Sequence, residues 1–331
     1  MIQISSAFDA GNVDVVSADK PGNIRVRIRK DTASDFFQWF YFRVTGVSGE
    51  NCVIRIENAG QASYARGFKD YKACASYNRD DWFRVNTEYD DDCLTLKIKA
   101  EFDSIYFAYF APYPLERHRG FVARCQQSPF ARLEVLGQSV EGRDIDLLIV
   151  GDPLPSKKVC WAIARQHPGE AMGQFWMEGF LERLLDPNDR VAMTVRDKAV
   201  FHLVPNMNPD GSVLGNLRTN AAGANLNREW AKPSQEKSPE VFHVRNRMEN
   251  TGVDFAIDVH GDECIPYNFI SGADHVPSAD DRMKRLLPAF KEALLVATPD
   301  FQTEHGYPKA FQANLSICAS NIAESFRCLA M

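Results

Sequence analysis

The chain has 331 residues, 45% of them apolar and 25% charged, which supports a sizeable core, leaves room for two domains and excludes a disordered chain. A net charge of −6 argues against nucleic acid as the main partner, because phosphate binding wants a basic surface. No apolar run reaches the roughly 18 residues of a membrane-spanning helix, and Met1 to Asn12 has neither the basic start nor the apolar stretch of a secretory signal, so a cytoplasmic protein away from membranes is expected.

The first third reads as antiparallel β. Phe36 to Val44 is dense in aromatics, Leu94 to Lys99 alternates apolar and polar with period two, and Ile105 to Phe110 is a further apolar strand. Ser48-Gly49 and Asp90-Asp91-Asp92 punctuate these pieces as turns. The spacing predicts a small antiparallel β-sandwich domain over residues 1–113, ending at Pro112-Tyr113-Pro114.

Residues 114–331 change character. Leu115 to Gln127 reads as a helix, and Arg132–Leu136 with Ile145–Val150 as a hairpin. Val159–Ala164 is a short apolar strand, followed by the loop His167-Pro168-Gly169-Glu170 and by apolar residues at helical spacing from Met172 to Leu185. Val200–Val204 is a strand leading into a turn-rich loop, Asn206 to Gly211, and Val253–Val259 is a strand ending at His260. This alternation predicts an α/β domain with a mixed, largely parallel sheet flanked by helices. Eight cysteines are scattered without a Cys-x-x-Cys pair, as expected of buried free thiols in a reducing compartment.

His167, the Asn206–Gly211 loop and His260 all fall just past predicted strand ends, where open α/β sheets bind ligands. A catalytic zinc ion takes three protein ligands and keeps one open position. His167-x-x-Glu170 offers two ligands and His260 a third. His-x-x-Glu also occurs at His260-Gly261-Asp262-Glu263, so by itself the pattern leaves open an ordinary loop histidine at 167 and a hydrogen-bonded strand-end histidine at 260. Arg218, Asn227 and Arg228 lie in a weakly patterned stretch with Gly215 and Gly223. Arginine grips carboxylates through a planar fork, and a neighbouring asparagine can share the anion; a solvated loop with two arginines is the alternative.

Four motifs in register then resemble the cytosolic carboxypeptidase branch of the zinc metallocarboxypeptidase family. They are His167-Pro168-Gly169-Glu170, Pro205-Asn206-Met207-Asn208-Pro209-Asp210-Gly211, Asn225-Leu226-Asn227-Arg228-Glu229-Trp230 and Asp258-Val259-His260-Gly261-Asp262. Gln38 to Arg43 and Tyr106 to Tyr113 resemble that branch's amino-terminal β domain. The resemblance implies one Zn²⁺ held by His167, Glu170 and His260. It implies that Asn227 and Arg228 grip the substrate's terminal carboxylate and that Arg218 stabilises the oxyanion. The implied partners are peptide or protein C-termini, acidic tails among them.

The family also places a general-base glutamate on a late strand. Asn321 to Met331 resembles the stretch leading into that strand, which puts the glutamate beyond Met331. Glu324, alone among carboxylates in the last twenty residues, precedes that register as a substitute. Loss of a general base costs about 10²–10⁴ in rate, so slow turnover of this form is expected. Two alternatives are a zinc-dependent N-acyl amino acid deacylase, and a catalytically impaired module that binds C-terminal peptides.

Overall fold

The computed structural model describes residues 1–308 and 312–331. They form two compact units. The first comprises Met1–Leu115 with two later loops, His167–Met172 and Pro209–Gly223; the second comprises Glu116–Gln166, Gly173–Asn208 and Ala224–Met331.

In the first unit the strands are β1 (Gln3–Ser5), β2 (Asp14–Ser17), β3 (Ile24–Arg27), β4 (Tyr41–Thr45), β5 (Asn51–Ile56), β6 (Cys74–Ser76), β7 (Phe83–Arg84), β8 (Asn86–Tyr89), β9 (Leu94–Lys99) and β10 (Ser104–Ala108). They build two five-stranded sheets, β1-β4-β10-β6-β7 and β2-β3-β5-β9-β8. All pairings are antiparallel except β3 with β5. Ile54, Leu94 and Leu96 of one sheet and Phe42, Val44 and Phe107 of the other belong to one buried cluster, so the inner faces share a core, as in a sandwich.

The aromatic run departs from its expected strand. Only Tyr41–Thr45 pairs in a ladder. Upstream, the bonding is irregular: Phe37 N–H donates to Ser63 Oγ at 2.9 Å while Phe37 O accepts from Ser63 N at 2.9 Å, and the Gln38 side-chain amide accepts from Tyr64 N at 2.8 Å and donates to Tyr64 O at 3.2 Å. Trp39 is 1% exposed and gives its indole N–H to Ala10 O at 2.8 Å. Aromatic density there reflects burial in an irregular segment.

The second unit holds a six-stranded sheet. Its strands are β11 (Ala131–Gln138), β12 (Asp144–Val150), β13 (Lys158–Ala164), β14 (Ala199–Val204), β15 (Phe255–Val259) and β16 (Leu329–Ala330), ordered β11-β12-β14-β13-β15-β16. The hairpin β11-β12 and the β12-β14 pair are antiparallel, and the other three pairs are parallel. Alternation assigns the faces. Ile145, Leu147, Ile149, Trp161 and Ile163 pack with Val241, Val244 and Met248 of α5 (Pro239–Thr251) and Ile322 and Ala323 of α7 (Cys318–Phe326). Leu148, Val150, Ala162 and Ala164 pack with Phe121 and Val122 of α1 (Leu115–Cys125) and Met177, Leu181 and Leu184 of α2 (Met172–Leu185). Helices thus cover both faces of a mixed, largely parallel sheet, as the alternating pattern predicts. This unit also holds α3 (Arg190–Lys198) and α6 (Asp281–Ala297), whereas α4 (Pro209–Leu214) belongs to the first unit. The helix α4 replaces the back half of the turn-rich loop expected over Asn206–Gly211. Proline is well placed as its first residue, where a missing N–H costs nothing.

All eight cysteines are free, five of them buried. Burial pushes the Cys125 and Cys160 thiols up to about 11 and Cys328 up to about 12, so these side chains behave as small apolar groups. Among the described residues, no helix is long and apolar enough to cross a membrane.

One core group sets an acid limit. His202 on β14 is 4% exposed and stacks on Trp161 at 4.8 Å between centroids. Burial, reinforced by Arg247 and Arg132, lowers its pKa to about 4. The unfolded chain therefore takes up this proton first. The stability tied to neutral His202 is complete above pH ~6.5 and is lost as pH falls towards about 4, by roughly 3 kcal/mol in all. His202→Phe keeps the stack and removes the proton site. The difference between its urea midpoints at pH 7.5 and 4.5 is expected to be smaller than in the parent; an unchanged difference contradicts this assignment.

Candidate active site

The sheet places the predicted ligands. β13 and β15 are parallel neighbours in register, with Ala164 opposite Val259. His260 follows β15 directly, and His167 lies three residues beyond the end of β13. Arg165, directly after β13, has φ +59°, a left-handed bend just before Gln166 and His167. Gly169 cannot carry a side chain: a Cβ there would stand 2.9 Å from Leu217 O, the acceptor of the Gly169 N–H at 2.8 Å.

One ring nitrogen of His167, one of His260 and a carboxylate oxygen of Glu170 lie within 4.8 Å of one another. His167 and Glu170 are each 3% exposed, with His167 Nδ1 2.7 Å from Glu170 Oε1. Two imidazoles with one carboxylate form a donor set that suits a divalent metal. Among the described residues, this trio is the group of potential metal ligands that comes together, and it takes from the second His-x-x-Glu match only His260. There Asp262 accepts from the Cys264 and Ile265 N–H groups, both at 2.7 Å, and from Tyr307 Oη at 2.6 Å.

A carboxylate and two amides surround His260. Asp258 Oδ2 is 2.8 Å from His260 Nε2 and accepts from Gln166 Nε2 at 2.6 Å. Gln166, fully buried, also accepts from Trp230 Nε1 at 2.8 Å, and its backbone oxygen accepts from Asn208 Nδ2 at 3.0 Å. Asn227 Nδ2 lies 3.2 Å from His260 Nε2, while Asn227 Oδ1 accepts from Cys318 N at 2.8 Å. Exposed Arg228 donates to the Asn227 carbonyl at 2.7 Å. The structure thus brings Asn227, Arg228 and His260 into one neighbourhood.

Arg218 is held within the first unit, with its guanidinium over the rings of Tyr64 (5.3 Å) and Phe36 (5.8 Å). The N–H groups of Leu217, Arg218 and Thr219 donate to the Asp31 carboxylate at 2.6, 2.8 and 3.0 Å, and Thr219 Oγ1 does so at 3.1 Å. Burial raises the Asp31 carboxyl above its ordinary range against the pull of these four donors. Glu324 lies on α7, and its Oε2 accepts from Ser278 N at 2.9 Å.

Sequence reasoning gave no role to Asp258, although it opens one of the four motifs, and did not single out Gln166 or Asp31. Asp258 carried a signal: a carboxylate two residues before a strand-end histidine shares its face. Gln166 and Asp31 carried none.

Residues 4–110 match the family model of the cytosolic carboxypeptidase N-terminal domain, and residues 122–320 match that of zinc carboxypeptidase. The metallo-carboxypeptidase of Burkholderia cenocepacia is 50% identical, with a TM-score of 0.98, over 100% of this chain and 89% of that one. A metallo-carboxypeptidase of Pseudomonas aeruginosa, solved in complex with (2-guanidinoethylmercapto)succinic acid, is 45% identical, with a TM-score of 0.96, over 99% and 88%. Mouse cytosolic carboxypeptidase 6 is 30% identical over 82% of this chain, which spans 55% of that longer protein. By its motifs, its fold and these matches, the chain belongs to the zinc carboxypeptidase family, in the group that carries the cytosolic carboxypeptidase N-terminal domain.

Proposed function

We propose that this chain removes C-terminal residues from peptides or proteins, with one zinc ion held by His167, Glu170 and His260. Residues 1–113 serve as the amino-terminal β domain and 114–331 as the catalytic domain. The observation that carries this reading is the convergence of two imidazoles and one carboxylate within 4.8 Å. Three protein ligands are what a catalytic zinc ion would take. Zinc, when bound there, supplies a Lewis acid for the scissile carbonyl and for activating water.

The chain's own residues do the rest. Asp258 orients the His260 ring, as a carboxylate does behind a ligating imidazole. Arg228 and Asn227 take the substrate's terminal carboxylate through the two-point geometry that arginine favours, which anchors a chain end and gives a mid-chain bond no purchase. Arg218 faces the charge that develops on the carbonyl oxygen. The succinic acid derivative bound by the Pseudomonas relative supports a site that accepts carboxylates. The cytosolic carboxypeptidases among the relatives support a cytoplasmic location.

The test compares the zinc-loaded chain on three ligands: a peptide with a free C-terminus, its C-terminal amide and an N-acyl amino acid. Release of one residue from the free peptide alone is expected. Release only from the acyl amino acid would replace the reading with a deacylase; binding with no product would replace it with a module that only recognises chain ends. Peptides ending in glutamate, lysine and phenylalanine then report side-chain preference, and equal rates end the acidic expectation.

A further inference from the structure

A carboxylate buried to 4% exposure needs compensation, and Asp31 finds it in one place. Three successive backbone N–H groups, from Leu217 to Thr219, converge on it together with the Thr219 hydroxyl. Successive N–H groups aimed at one anion form a nest, which fixes the backbone torsions of the residues that supply them. Arg218 is the middle residue.

The same turn supports the far end of that side chain. Asp31 N–H donates to Phe36 O at 2.8 Å, and the Phe36 ring is one of the two under the Arg218 guanidinium. Neighbouring residues tie down the flanks of the loop. Ala10 N donates to Val213 O at 2.9 Å, Asn12 Nδ2 to Gly215 O at 2.7 Å, and Thr32 N to Asn216 Oδ1 at 3.1 Å. Gly215 has φ +72°, and a Cβ there would stand 2.8 Å from Ala10 O. The amino-terminal β segment thus fixes both the backbone and the head of this arginine.

We infer that Asp31, more than 180 residues upstream in sequence, is a positioning residue for Arg218. The inference rests on the oxyanion role proposed for Arg218. A small displacement of a catalytic group costs up to about 10² in rate, which sets the expected size.

The test is a double-mutant cycle on the full zinc-loaded chain, with kcat, KM, zinc content and thermal midpoint measured for each variant. Asp31→Ala is expected to lower kcat by about 10²-fold with zinc content unchanged and KM within about threefold. Asp31→Asn retains an acceptor for part of the nest and is expected to fall between Ala and the parent. In an Arg218→Ala background neither change is expected to lower kcat more than about threefold further, because the group being positioned is gone. If Asp31→Ala does not fold, the Asn cycle decides. Native kcat in folded Asp31 variants, or losses that multiply with a slow Arg218→Ala, overturns the inference alone. Native kcat in Arg218→Ala overturns both it and the role it rests on.

Discussion

Replacing His260 with alanine is expected to abolish peptide hydrolysis and stoichiometric zinc binding together. Loss of a partner that merely supports a zinc ligand costs about 10–100-fold in affinity, and loss of a ligand exceeds that. Glu170→Gln is expected to behave alike, because it removes the only anionic member of the trio. Activity is not the sole readout. Zinc at about 100 times its Kd stabilises a folded protein by about 2.7 kcal/mol, so the parent's thermal midpoint rises with added zinc. The midpoints of both variants should stay where they are. A His260→Ala variant with native zinc affinity would place the metal elsewhere.

The second large effect concerns Arg218. Removing one donor to an oxyanion costs about 10²–10³ in kcat, or roughly 3–4 kcal/mol of transition-state stabilisation. Arg218→Ala is expected to show that loss with zinc content intact and KM little changed. The stacked setting predicts a further distinction. The guanidinium lies over two ring faces, a contact that a compact ammonium reproduces poorly. Arg218→Lys is therefore expected to recover only part of the lost rate. A variant that raises KM and spares kcat would move Arg218 from the reacting centre to substrate capture.

How much of this can be read from the chain depends on how local each determinant is. β12, β13 and β14 carry continuous apolar runs because helices cover both faces of the sheet, and such runs are visible in sequence. Strand ends that meet polar loops therefore point to His167 and His260 from the residue pattern alone. The segment Phe36–Phe40 misleads because hydrophobicity reports burial: here the backbone bonds run to Asp31, Ser63 and Tyr109, outside any strand ladder, and the Gln38 side chain ties the segment to Tyr64. The Asn206–Gly211 stretch misleads in the opposite sense, since proline, aspartate and glycine suit turns but also suit the first turn of α4. Asp31 and Gln166 are illegible for a different reason. Their partners lie far away in sequence, and a lone aspartate or glutamine shows no period and no motif until folding sets it against its donors.

The most direct test of the zinc assignment is X-ray absorption at the zinc edge on the chain loaded with one equivalent of metal. Ligation by His167, Glu170 and His260 gives a shell of nitrogen and oxygen at about 2.0–2.2 Å and no sulfur. The chain also offers eight free thiols as rivals, so the spectrum discriminates between donor sets. A sulfur shell near 2.3 Å, or no ordered zinc at all, would contradict the assignment.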